Sequence, residues 1–481
     1  MPIQKRIYIN TSIPYANSTP HIGYALEAVQ TDALSRFYRE IGYDVYFVIG
    51  TDENATKNVE AAEKEGISTQ QFVDLNSHAF YDLKDSLNLS FDQFIRTTSE
   101  KHKEGVYKLW QLCSKDIYKK TYRGLYCTGC ETFYKDNEFK DNVCLHHNRK
   151  LEIVEEENYF FALSRYRERL NALYQEEKIK VYPTFRKEEM LKFINGDLED
   201  FSISRPVLRT KGWGVPVPND ASQMVYVWFD ALGNYITALD FHRDGELFKK
   251  YWMENTNRIN VIGKDITKFH LVYWPAMLLS AHLPPPTRIY VHGFITVEGR
   301  KMSKSLGNVT NPKDLTTQYG TDAVRYYLLR EIPPLDDGNY SHSRMEELYA
   351  SDLANELGNL VLRITTLAHK DGISWTTQRP SVETVYSKTY QTLFEKFEFS
   401  KILELVWEDV KKYNKEIDEF APWKKTASQR KPFLEKLLYN IHIMGFRLLP
   451  FIPKSAQKII QATGGKVEKT SPLFPRRNMS A

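Results

Sequence analysis

Cysteine is scarce, with four residues in a chain of 481. That number cannot staple a disulfide-built scaffold of this size. Long apolar runs are missing too. None approaches the roughly 18–20 residues that a membrane-crossing helix needs, and the stretch from Met1 to Ala16 holds no apolar leader core. The sequence therefore predicts a soluble, cytoplasmic protein with no membrane partner. Neither sign of charge dominates: 65 Lys and Arg stand against 61 Asp and Glu, a net charge of +4. That excludes a polycation charged along its whole length. Internal repeats, low-complexity tracts and long linkers are absent. What is present is a balanced composition, 42% hydrophobic and 26% charged. This is typical of folded proteins, and the length suits about three domains.

The chain opens on a strand, loop, helix, strand rhythm. Arg6–Asn10 reads as a buried strand. A turn-rich stretch, Thr11–Pro20, leads into a helix on which Ile22, Leu26, Val29, Ala33 and Phe37 recur at helical spacing up to about Glu40. Gly42 stops it. Val45–Ile49 is a second strand, ending at Gly50-Thr51-Asp52. Such a βαβ unit implies a parallel sheet, whose ligands sit at the carboxyl ends of the strands. The Ile13–Gly23 loop and Asp52 thus share one rim. The loop has no G-x-G-x-x-G, so a dinucleotide fingerprint is absent.

From about Lys119 to Val225 the rhythm breaks, which predicts an insertion between two halves of the sheet. It returns with strands at Val225–Phe229, Asn260–Ile262 and Ile289–His292 and a helix over Thr267–Ser280. After about Ser341 the chain reads as purely helical. Leu353, Leu357, Leu360, Ile364 and Leu367 mark one face of a bundle helix. Further helices are predicted at Val382–Phe397, Ser400–Phe420, Pro432–Leu449 and Lys454–Ala462, with a frayed tail after Gly464. From Glu346 onward, 21 Lys and Arg face 16 Asp and Glu. A mildly basic end of this kind suits a polyanionic partner.

Three motifs carry chemistry. Thr19-Pro20-His21-Ile22-Gly23-Tyr24 lies at a helix start, where free N–H groups and the dipole favour a phosphate. Gly23 permits close approach, and His21 can donate to an oxyanion. Lys301-Met302-Ser303-Lys304-Ser305 lies between Gly299 and Gly307. Its two lysines can close over a triphosphate and neutralise a leaving pyrophosphate. The third motif is Cys127-x2-Cys130 followed by Cys144-x2-His147. Two chelating pairs with two-residue spacers suit one tetrahedral, structural zinc ion. His146 is the alternative fourth ligand, and Cys113 falls outside the spacing.

The first two motifs together resemble the paired signature of class I aminoacyl-tRNA synthetases. Ile13-Pro14-Tyr15-Ala16-Asn17, Tyr226-Val227-Trp228-Phe229-Asp230-Ala231, Phe269-His270, Trp274-Pro275-Ala276-Met277 and Leu357-Gly358-Asn359-Leu360 resemble methionyl-tRNA synthetases in particular. The resemblance spans about residues 5–460. It implies an α/β fold: a Rossmann-type parallel sheet, a zinc-knuckle connective insertion and a C-terminal all-helical bundle. The implied divisions are 1–118 and 226–342 for the catalytic domain, 119–225 for the insertion and 343–481 for anticodon binding. The implied activity is methionine–tRNA ligation. L-Methionine, ATP with Mg2+ and both initiator and elongator tRNA(Met) would be the partners, with the enzyme a monomer.

By the same resemblance, Ile13, Tyr15, Asp52, Trp228, Ala231, Tyr235, His270 and Trp274 bind methionine. Gly23, Asp265, Lys301, Ser303 and Lys304 bind ATP, with Asp265 on the ribose. His21, Tyr24, Lys301 and Lys304 stabilise phosphate charge. Asn359, Arg363 and Trp423 read the CAU anticodon. An unbranched, polarizable substrate suits aromatic walls with one or two polar anchors, and an amide, a guanidinium and an indole suit unstacked bases.

The sequence departs from the family pattern at three places, one of them Leu232, which stands where some relatives have proline. Tyr24 stands where the second histidine of the signature is usual, and a phenol donates a hydrogen bond without becoming cationic. Asn54-Ala55 replaces a usual His-Gly after Asp52-Glu53. These differences keep one alternative open, an adenylate-forming paralogue that serves a non-tRNA acceptor.

Overall fold

The protein is described by a computed structural model over residues 5–127, 132–134, 141–144, 149–302, 307–375 and 379–476. Six segments build the central sheet: Arg6–Thr11 (β1), Asp44–Thr51 (β2), Gln93–Arg96 (β3), Lys180–Tyr182 (β4), Arg258–Gly263 (β5) and Arg288–His292 (β6). Their order is β3-β2-β1-β5-β6-β4, and every neighbouring pair is parallel. All six residues of β5 are buried, as expected where helices cover both faces of a parallel sheet. Strand order reverses between β1 and β5. That switch point opens a crevice beyond the carboxyl ends of both strands.

Ile22–Glu40 (α1) connects β1 to β2. Its predicted apolar face is buried, and so is much of the rest: Glu27, Gln30, Thr31, Asp32 and Ser35 are also inside. Periodicity showed only the face toward the sheet. The opposite face is covered by the helix Thr321–Arg330 and by the C-terminal helices. Asp32 there accepts from Arg36 and from the fully buried Arg325, each at 2.7 Å. Arg325 also donates to the carbonyls of Leu87, Pro450 and Phe451. One hydrophobic core therefore runs from Ile7 in β1 to Phe474 near the C-terminus.

Three expectations are corrected. The stretch read as one insertion donates β4 to the edge of the central sheet, paired with β6. Three residues are too few for a periodic signal. The rest of the stretch does leave the sheet, forming a four-stranded antiparallel sheet around Ile117–Cys127 and Glu152–Phe161 and a three-stranded one around Asp220–Val225. The predicted strand Val225–Phe229 is instead the end of a strand, Asp220–Val225, and a short helix, Val227–Leu232. A continuous apolar run does not distinguish the two. The tail after Gly464 is not frayed over its described part. Val467 and Phe474 are buried, and Tyr349 Oη donates to the Pro475 carbonyl at 2.9 Å.

The bundle has helices Asn359–Lys370, Phe399–Phe420, Ala427–Leu448 and Pro453–Thr463 as the pattern predicts, but the predicted Val382–Phe397 helix is two short ones, Val382–Val385 and Lys388–Glu395, and a small ladder pairs Ser374–Trp375 with Gly465–Lys466. A π-helical stretch, Tyr349–Gly358, leads into the first of them. No helix among the described residues is long and apolar enough to cross a membrane.

Candidate active site and anticodon surface

The loop after β1 and the end of β2 are stitched together. Asp52 N–H donates to the Pro14 carbonyl at 2.8 Å, and Ala16 N–H donates to the Asp52 carbonyl at 2.9 Å. Tyr15 and Asp52 thus form a one-residue parallel bridge on the sheet's carboxyl rim. Asp52 is buried, and its Oδ1 accepts the Asn54 N–H at 3.3 Å. Behind it Glu53, fully buried, takes the Arg96 Nε–H at 2.6 Å and Nη2–H at 3.0 Å, with hydroxyls of Thr51, Ser77 and Thr98. Sequence reasoning missed this clamp, although an Asp-Glu pair at a strand end is a signal for it.

Tyr15 and Trp228 both lean on a small cluster of Ala55, Tyr226 and Val227. The Lys57 ammonium lies 4.9 Å from the Tyr15 ring centre. The Trp228 indole is stacked on Phe269 at 3.7 Å and 5°. Phe269 was not expected in the wall. It opens a π-helical turn, Phe269–Tyr273, that also carries His270, and such turns recur at functional sites.

His270 is buried. Its Nδ1 faces the Ile266 carbonyl at 2.9 Å, so that nitrogen holds the proton. Nε2 is then the acceptor for the Tyr235 hydroxyl at 2.6 Å. Burial pushes the imidazole down to about 4, only partly offset by the Ile266 bond. Trp274, one turn on and fully buried, lies 6.0 Å from the Tyr235 ring. The geometry brings Tyr15, Asp52 and Trp228 to one rim, and Tyr235, His270 and Trp274 into a dry layer beside it. Ala231 is buried on the Trp228 helix, and Ile13 is half-buried against the same core.

The other rim is open. His21 caps α1, its Nδ1 accepting the Gly23 N–H at 3.1 Å. The proton is therefore on Nε2, which faces away from the helix. The ring is exposed by surface area yet surrounded by protein on most sides, and this desolvation lowers its proton affinity. A neutral ring with an outward N–H suits an oxyanion. A Cβ on Gly23 would come within 2.9 Å of that ring, so a larger residue there would push His21 off its cap.

Tyr24 is buried edge-on to Phe80 at 5.2 Å. Among the described residues neither its hydroxyl nor that of Thr11 makes a hydrogen bond of good geometry, and burial raises the phenol's pKa far above its usual range, only partly offset by the nearby Thr11 hydroxyl. Asp265 is exposed just beyond β5, its Oδ1 so close that a Cβ on Gly263 would meet it at 2.9 Å. Between these groups lies a pair that the sequence reading missed. Glu27 accepts from Ser12 Oγ and His292 Nε2, each at 2.7 Å. Burial works against charge on His292, but the bond to Glu27 holds its imidazole above the usual range. A histidine at the carboxyl end of β6 was the available signal.

Lys301 is exposed, and its carbonyl accepts from Asn308 Nδ2 at 3.1 Å, closing the base of the lysine loop. Gly299 and Gly307 flank it with φ of 72° and 64°, values that favour glycine. Ser303 and Lys304 lie outside the described residues, as do Cys130 and His147. Cys127 and Cys144 are buried in one cluster with Tyr134, whose hydroxyl lies 3.3 Å from the Cys144 sulfur. Neither is in a disulfide. Among the described residues no group of three or more metal-ligating side chains occurs.

On the helical bundle, Arg363 bonds Asp418 at 2.7 Å, and its guanidinium lies 5.1 Å from the Trp423 ring centre. Trp423 is 49% exposed, a large indole face held open to solvent. Asn359 is exposed one turn before Arg363.

The family described as tRNA synthetases class I (M) matches residues 7–147 and 136–365. The methionine–tRNA ligase of Caldanaerobacter subterraneus subsp. tengcongensis is 39% identical over 96% of this chain and 74% of its own length. That of Rickettsia bellii is 37% identical over 96% and 93%. The structure of Mycobacterium tuberculosis methionyl-tRNA synthetase in complex with methionyl-adenylate superposes with a TM-score of 0.90 at 34% identity, covering 98% of this chain and all of that one. The likeness thus extends along nearly the whole length, and the chain belongs to the class I methionyl-tRNA synthetases.

Proposed function

We infer that this chain is a methionine–tRNA ligase: it activates L-methionine with ATP and transfers it to tRNA(Met). The observation that carries this reading is the meeting of Asp52, Tyr15 and Trp228 on the rim, backed by the neutral His270–Tyr235 pair. Asp52 receives the substrate ammonium. Trp228 and Tyr15 wall an unbranched apolar side chain, and Tyr235, His270 and Trp274 close its far end. Burial keeps His270 uncharged, so the thioether meets no buried cation.

In the first step a methionine carboxylate oxygen attacks the α-phosphorus and the bond to the bridging oxygen breaks, releasing pyrophosphate. ATP brings Mg2+, which neutralises phosphate oxygens when bound. His21 Nε2–H, the Tyr24 hydroxyl, Lys301 and Lys304 share the growing negative charge as the lysine loop closes, and Asp265 accepts from the ribose hydroxyls. Catalysis is then mostly positioning and charge stabilisation. In the second step the 3′-terminal adenosine hydroxyl of tRNA attacks the adenylate carbonyl, and AMP leaves. Arg363, Trp423 and Asn359 hold unstacked anticodon bases.

Cys127 and Cys144 fit a zinc site as two reduced, buried thiols in one cluster. With Cys130 and His147 they would complete a four-ligand, structural site that leaves no open position for catalysis.

The test is methionylation of total tRNA with labelled methionine. Acid-stable label on tRNA, with loss on Trp423→Ala, is the expected result. Pyrophosphate exchange without labelled tRNA would instead favour a paralogue with another acceptor.

A further inference from the structure

Asp52, Glu53 and Asn54 leave β2 in three directions. Asp52 lines the crevice, and Glu53 turns back to Arg96 at 2.6 Å. Asn54 points the third way: its Nδ2 donates to Asp230 Oδ2 at 2.7 Å and to the Thr97 carbonyl at 3.0 Å. Asp230 Oδ1 accepts from His102 Nε2 at 2.7 Å, and His102 Nδ1 faces Thr237 Oγ1 at 2.7 Å. Asp230, His102 and Thr237 are wholly buried and Asn54 nearly so. Asp230 sits on the short helix Val227–Leu232, which also carries Trp228 and Ala231. His102 belongs to the helix Glu100–Leu112 beneath it. Contact there is close, since a Cβ on Gly105 would meet Thr237 Cγ2 at 2.3 Å.

The Glu53 clamp ties Asp52 to β3 but not to the pocket helix. The Asn54–Asp230 bond does span from the Asp52 loop to the helix of Trp228. Because the Asn54 N–H also binds Asp52 Oδ1, moving Asn54 moves the ammonium anchor relative to the aromatic wall. We propose that Asn54, Asp230 and His102 are positioning residues that set the Asp52 carboxylate against Trp228, so that recognition of the substrate ammonium depends on a buried chain that never touches substrate. This rests on the reading of Asp52 and Trp228 above. A buried carboxylate whose donors are all in place holds geometry more sharply than apolar packing does, and removing one donor is costly.

The experiment measures, by calorimetry on the full chain, the dissociation constants of methionine and of 4-(methylsulfanyl)butanoate, which is methionine without its ammonium. Their ratio reads ammonium recognition alone. Asn54→Leu is expected to shrink the ratio about tenfold or more by weakening methionine, with the analogue unchanged within about twofold. Asn54→His, whose ring N–H can still reach Asp230, is expected to restore most of it. His102→Gln should shrink the ratio less, and serves if Asn54→Leu does not fold. If Asp52→Asn collapses the ratio while Asn54→Leu and His102→Gln leave it intact, or weaken both ligands equally, the positioning role is overturned and the site reading stands. If Asp52→Asn itself leaves the ratio unchanged, the ammonium reading of Asp52 fails, and the proposal with it.

Discussion

The two rims of the crevice are built by opposite rules. On the amino-acid side, Tyr235, His270 and Trp274 are buried, bonded to one another or tightly packed, and Trp228 is held flat by Phe269. On the phosphate side, His21, Asp265 and Lys301 are exposed. Methionine is small and apolar, so its selection gains from a dry, preformed wall. A triphosphate is strongly hydrated and its pyrophosphate must leave, so its partners are donors that can meet and release it. On the reading proposed above, selectivity would belong to the packed half and rate to the open half.

The sharpest division of that contrast is Lys304→Ala. The activation rate should fall about 10²–10³-fold, while methionine affinity measured without ATP stays the same. A parallel loss of methionine affinity would erase the division between the rims.

The packed side has a pH signature. His270 stays neutral in the folded chain down to about 4, whereas an unfolded histidine takes its proton near the ordinary 6.5. Between those values the unfolded chain holds the extra proton. Stability therefore falls as pH drops from 6.5 to about 4, and this contribution is constant above 6.5. The loss is roughly 3 kcal/mol at full extent. Denaturant melts of the wild type and of His270→Gln over pH 4–8 should diverge in that window and run parallel above it.

Trp423→Ala probes a third surface, distant in function from both rims. Loss of one stacking face costs about 1–3 kcal/mol. It should appear in kcat/KM for tRNA and leave pyrophosphate exchange unchanged. The smallest effect is expected from Tyr235→Phe, which leaves His270 Nε2 without its donor. About 1–2 kcal/mol is lost, read as a roughly 5- to 30-fold rise in KM for methionine with KM for ATP unaffected. A rise in both would mean that the two rims are mechanically linked.

Much of the open rim was legible because its residues are consecutive. His21, Gly23 and Tyr24 sit on one helix start, and Lys301 and Lys304 on one loop, so spacing alone displays them. The packed rim was legible only through family resemblance, since Tyr15, Asp52, Trp228 and His270 come from four separate elements. Glu53, Phe269 and the Glu27–His292 pair escaped notice because a single polar or aromatic residue carries no periodic signal. Tyr24 belongs to the same motif, and its ring is packed in the core against Phe80, which leaves its hydroxyl for the phosphate role proposed above.

By itself the sequence determined most of the alternation of strands and helices, a helix start suited to an oxyanion, the lysine loop and the amphipathic bundle. These follow from local periodicity and from the conformations that glycine and proline allow. Tertiary structure alone decided that Lys180–Tyr182 joins the central sheet, that α1 is buried on both sides, and that Asn54, Asp230 and His102 meet. Such contacts join residues far apart in the chain, Asn54 and Asp230 by 176 positions and Glu27 and His292 by 265. Their energy comes from burying and pairing groups that no local pattern relates.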